Sequence, residues 1–183
     1  IRPQMKKYII IFWIIWLGLV FFGFYTVLNT PISSTLNFFE RISGILLFSL
    51  LFIQIVLGKK INPVIYLLAL IHPFFLLIFN FKLFHTIDPF YIYTQVCFLC
   101  KNKLELFYTF GRLAIWFLVV GIFAANWKKS YLFNYVAFFF VALHAWFVGS
   151  DFHSSPLKYV FWLAIVAVFL AGYKEVRSKK QKE

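Results

Sequence analysis

Apolar residues run through this chain in long blocks separated by short polar clusters. Six blocks stand out, at roughly Tyr8–Leu28, Arg41–Gly58, Ile61–Lys82, Leu106–Trp127, Tyr131–Gly149 and Pro156–Tyr173. Each is close to the ~20 residues a helix needs to cross the hydrocarbon of a bilayer. Lipid gives a free backbone amide or carbonyl no partner, so a spanning segment must close its own hydrogen bonds. The blocks are too long and too uniformly apolar for the alternating strands of a barrel. The expected fold is therefore all-α: a six-transmembrane-helix bundle forming a single domain over residues 1–183. The first block is too long for a signal peptide and no small-residue cleavage site follows it, so it reads as a retained span.

Composition agrees with the pattern. Of 183 residues, 63% are hydrophobic, 13% are charged and 27 are phenylalanine. A soluble domain of this size has too little interior to hide that much apolar surface. The net charge of +12 is not gathered into one patch, which argues against nucleic acid as a partner. It lies between the blocks instead, in the distribution that sets membrane topology. Twelve basic residues share one side: Arg2, Lys6, Lys7, Lys59, Lys60, Lys128, Lys129, Lys174, Arg177, Lys179, Lys180 and Lys182. The other side holds Arg41, Lys82, Lys101, Lys103 and Lys158, diluted by Glu40, Asp88, Glu105 and Asp151. Both termini are thus expected in the cytoplasm, with the long loop from Leu83 to Glu105 outside. The lysine-rich tail reads as a topology anchor, with anionic lipid or a soluble partner as the other use.

Two histidines lie deep inside the blocks, His72 in LLALIHPFFLLIF and His144 in FFFVALHAWFVG. An ionisable side chain at that depth needs a partner. Neutral imidazole is also a good ligand for iron. His72 falls 12 residues beyond Lys60 and His144 falls 15 beyond Lys129, helical rises of about 18 and 22 Å. The third and fifth helices run in the same direction, so both imidazoles reach the outer half of the bilayer. A haem standing between the two helices would receive one ligand on each face. The competing reading is that each histidine only hydrogen-bonds to a neighbouring helix. Pro73 directly after His72 frees the carbonyl of Ala69, a local acceptor or a kink.

At these residues the chain resembles a family, the ferric reductase-like transmembrane domain. This six-helix haem core is shared by NADPH oxidases, metalloreductases and the haem subunit of a periplasmic methionine-sulfoxide reductase. The resemblance runs from about Arg41 to Lys174 and is carried by ERISGILLFSLLFIQIVLGKK, YLLALIHPFFLL, GRLAIWFLVVGIF and NYVAFFFVALHAWFVGSDFHSSPLKYVFW. It implies an integral protein of the bacterial cytoplasmic membrane, an oxidoreductase component that passes electrons through haem b. Many members hold a second haem with histidines 13–14 residues earlier on the third and fifth helices. Here those positions are Gly58, Lys59, Ser130 and Tyr131. The resemblance therefore implies one haem, with His72 and His144 as axial ligands. Its electron donor would be a separate flavoprotein or quinol, supplying an external flavin or quinone. Its acceptor would be ferric iron, oxygen or a periplasmic redox protein.

Four further groups carry candidate chemistry. Arg112 lies inside the fourth block, where it must pair or reach outward; a haem propionate, the interface, or an Asp or Glu would each serve. Arg41 is a second candidate for the propionates, or an interfacial charge beside Glu40. His85 and His153 lie 25 and 24 residues beyond the cytoplasmic lysines of their helices, with Asp88 and Asp151 close in sequence. That set is either an outer metal or substrate site or a group of solvated loop residues. Cys97 and Cys100 form CFLC in the outer loop, a structural disulfide or a redox-active pair. The latter would make the protein a thiol–disulfide and quinone oxidoreductase without haem. A non-catalytic membrane assembly subunit is the remaining alternative. No P-loop, G-x-G-x-x-G, G-x-S-x-G or H-E-x-x-H motif occurs.

Overall fold

The computed structural model describes residues 3–32, 35–56, 65, 67–74, 96–123 and 131–180. Among these the chain is helical and contains no strand. The elements are α1 (Pro3–Leu28), α2 (Thr35–Val56), α3 (helical at 67–74), α4 (Lys103–Phe123), α5 (Tyr131–Val148), the short α6 (Ser150–Ser154) and α7 (Leu157–Lys180). The all-α expectation is met. Three helices are long and apolar enough to cross a membrane: Thr35–Val56, Lys103–Gly121 within α4 and Leu157–Lys174 within α7. Shorter apolar stretches occupy Trp16–Leu28 and Leu132–Val148. Most of the third block, and residues 83–95 of the outer loop, lie outside the described residues.

Local chemistry explains the helix ends. Pro3 opens α1, where its missing N–H costs nothing. Asn102 caps α4 by accepting the Leu104 amide at 3.0 Å, and Glu105 adds a negative charge to the first turn. Ser155 does the same for α7, accepting the Leu157 amide at 3.1 Å. Several boundaries differ from the hydropathy reading, most of all at the start of α2 and the end of α7. α2 begins at Thr35, six residues before Arg41, and Arg41 turns its guanidinium to Asp151 of α6. α7 runs on to Lys180, through Lys, Glu and Arg residues that favour helix without being apolar.

The helices meet on two features. Phe48 of α2 is buried and lies 5.4 Å from the Phe138 ring on α5, 5.0 Å from Phe152 on α6 and 5.4 Å from Phe161 on α7. Offset aromatic contacts of this kind add to simple area burial. Close backbone approach is the second feature. A methyl group at Gly23 of α1 would come within 2.8 Å of Ile45 Cγ2 on α2, so the two helices pack only because that position is bare. Trp16 Nε1 donates to Ser49 Oγ across the same interface at 3.2 Å. The start of α2, the start of α4 and the end of α5 gather at one end of the bundle, and the candidate site opens there.

Candidate haem-binding cavity

A cavity of about 340 Å³ lies between α2, α3, α4, α5 and α6. His72 and His144 both line it, with ring centroids 6.4 Å apart and ring planes at 78°. Each imidazole is fixed by its neighbouring helix. His72 Nδ1 lies 3.1 Å from the Glu40 carbonyl and 2.9 Å from Ser43 Oγ, and Ser43 itself donates to that carbonyl at 2.8 Å. His144 Nδ1 lies 3.0 Å from the Phe107 carbonyl. A carbonyl oxygen only accepts, so Nδ1 carries the proton on both rings. Nε2 is then the lone-pair nitrogen on both, and it makes no hydrogen bond among the described residues. This is the anchoring that metal-bound histidines use to fix tautomer and ring angle.

The spacing has chemical meaning. Metal–imidazole bonds are about 2.0–2.1 Å long, so one ion bound to two Nε2 atoms sets the ring centroids roughly 6 Å apart. The observed separation is in that range. Two glycines make it reachable. A methyl at Gly44 of α2 would sit 3.1 Å from His72 Cε1, and one at Gly111 of α4 would sit 3.0 Å from His144 Nδ1. Each imidazole therefore rests on a helix surface stripped of its side chain. The hydropathy reading did not identify these glycines, nor the Glu40 and Phe107 carbonyls. The small pair Ser43–Gly44 and the Gly111–Arg112 pair were the available signals.

The cavity is polar at one end and apolar at the other. Asn37, Glu40, Arg41, Tyr108, Arg112 and Asp151 line it near the helix ends, whereas Leu47, Ala114, Ile115, Leu118 and Val141 line its depth. Both arginines have carboxylate partners. Arg41 forks onto Asp151, with Nε donating to Oδ2 at 2.8 Å and Nη2 to Oδ1, and it also donates to Thr30 and the Pro31 carbonyl. Arg112 is buried, with Nη1 3.4 Å from Glu105 Oε2. Of the three uses read for Arg112, an acidic partner is therefore present, and the residue lines the cavity as well. Asp151, which the sequence groups with the outer His85–His153 set, is instead buried against Arg41. Removing one member of such a pair leaves the other charge stranded. Asp151→Ala should therefore lower stability by about 3 kcal/mol, and Arg41→Leu with Asp151→Leu should recover much of it, as read by thermal denaturation in detergent.

The remaining candidates lie apart from the cavity. His153 is exposed and stands beside Trp146, with ring centroids 6.1 Å apart. His85 and Asp88 fall outside the described residues. Among the described residues no group of three or more His, Cys, Asp or Glu is arranged to hold a metal ion. Cys97 and Cys100 form a disulfide. Comparisons with protein-family models, with curated proteins and with solved structures return no match to this chain.

Proposed function

We propose that this protein is a membrane cytochrome b, with one haem held between His72 and His144, that carries electrons to an acceptor outside the cytoplasm. The observation that supports this most is the imidazole pair. Both rings are anchored through Nδ1, both keep Nε2 for a ligand, and their separation suits one metal ion between them. The lining of the cavity suits the group as well. Its apolar depth suits a porphyrin ring, and Arg112 at its polar end suits a propionate, whereas Arg41, the second candidate for that task, is taken up by Asp151 instead.

The chain would be an integral protein with six spans and both termini in the cytoplasm, the arrangement its lysine and arginine clusters favour. When bound, the haem supplies a one-electron couple at its iron. The protein's own residues do the rest. The Glu40 and Phe107 carbonyls hold the proton on Nδ1 of each ligand and fix the ring angles. Gly44 and Gly111 leave room for the rings. Leu47, Leu118 and Val141 keep water from the inner part of the cavity. A separate flavoprotein or quinol would supply electrons, and ferric iron, oxygen or a periplasmic redox protein would receive them.

The test is the absorption of the purified protein after expression with ample haem. The expected result is a Soret band, an alpha band in the reduced-minus-oxidised spectrum, and one haem per chain by pyridine haemochrome assay. A colourless preparation that retains its helical circular dichroism would overturn the proposal.

A further inference from the structure

Several contacts converge on Thr109, just inside the start of α4. The segment 96–102 leads into that helix, and its Cys97–Cys100 disulfide closes a four-residue ring. Phe98 and Leu99 inside the ring face outward, 59% and 99% exposed, and both cysteines remain partly accessible. The main chain of Cys97 is fastened to α4 at both polar atoms. Its amide donates to Thr109 Oγ1 at 3.0 Å, and its carbonyl lies 3.3 Å from the same oxygen. Thr109 is wholly buried and is also 3.0 Å from the Glu105 carbonyl. It directly follows Tyr108, which lines the cavity, and lies two residues after Phe107, whose carbonyl holds His144.

We propose that the Cys97–Cys100 loop is a thiol–disulfide exchange site for a dithiol that approaches over Phe98 and Leu99, and that opening it loosens the turn of α4 that fixes His144. Accessible disulfides are the ones that exchange readily. One thiolate of the dithiol attacks a sulfur of the Cys97–Cys100 bond, forming a mixed disulfide and freeing one cysteine. The second thiol then displaces the other cysteine. The dithiol leaves as a disulfide, and Cys97 and Cys100 become two thiols that have taken up its two electrons and two protons. The covalent ring had held the Cys97 amide and carbonyl in register for Thr109. Once it opens, the segment regains conformational freedom and the turn around Thr109 loses an outer support.

The test uses the full chain in lipid nanodiscs, with dithiothreitol as the dithiol. Maleimide–polyethylene glycol tagging counts thiols, and hydrogen exchange follows the amides of residues 107–112. The expected result is that both cysteines are tagged while the protein stays folded, and that those amides exchange about tenfold faster. Thr109→Ala should produce the same acceleration with the disulfide intact, whereas Thr109→Ser, which keeps the hydroxyl, should not. Cysteines that resist the dithiol until denaturant is added would overturn the proposal. So would tagging with no change in exchange at 107–112. Neither readout involves a cofactor, so failure here leaves the cytochrome proposal standing, and a colourless protein that passes both tests counts against the cytochrome alone.

Discussion

His144→Ala, and separately His72→Ala, should yield protein without the haem absorption bands while helical content stays unchanged. The reasoning is geometric. Each imidazole lines the cavity and bonds one backbone carbonyl, and the core packing rests on residues such as Phe48 and Leu51 instead. Truncation at Cβ leaves the helices in place and removes one of the two proposed ligands. On the proposed reading, a porphyrin left with a single histidine would lose most of its affinity. Losing a residue that only orients a metal ligand typically costs about 10–100-fold in affinity, and loss of a ligand itself should cost more than about 100-fold. The double variant should be no worse than either single one, because the ligands act as a unit. Haem content per chain after purification checks this. Retention of a normal reduced-minus-oxidised spectrum in either single variant would rule that histidine out as a ligand.

Gly111→Val should have nearly the same effect without touching a ligand. The first added carbon would lie 3.0–3.1 Å from three atoms of the His144 ring, closer than ordinary van der Waals contact, and valine adds two methyl groups beyond that carbon. The ring must swing away from Phe107, losing both its anchor and its aim. Overpacking of this kind typically costs about 1–3 kcal/mol in a core, and here the cost falls on the ring's position. Gly111→Ala should be milder, with partial haem loss, since the neighbour needs to yield only a few tenths of an ångström. Gly44→Val should act likewise on His72, where the closest contact is 3.1 Å. The paired measurements are haem occupancy and thermal stability of the protein without haem. A variant that keeps full occupancy would show that the ring does not depend on the bare helix surface.

Much of this architecture could be read from the chain, for reasons that vary by residue. The apolar blocks announced helices because a membrane-length run has few other ways to close its backbone bonds. His72 and His144 were conspicuous because ionisable groups are rare in such runs. Their juxtaposition followed from counting residues inward from lysine clusters. What the blocks did not reveal was how neighbouring helices hold those two rings and the charges beside them. Arg41 and Asp151 are 110 positions apart, and nothing local to either marks the other as its partner. Asp151 also lies on α6, a five-residue helix too short and too polar for a hydropathy pattern to register. The Glu40 and Phe107 carbonyls are backbone atoms, invisible to residue type. Gly44 and Gly111 look like any membrane-helix glycine until the facing ring is known.

The two imidazole planes stand 78° apart, close to perpendicular, and each is kept there by a carbonyl from a different helix, Glu40 on α2 and Phe107 on α4. A metal held in the manner proposed would therefore receive two ligands whose orientations are set independently, so a shift of α2 or of α4 alone would turn one ring and leave the other.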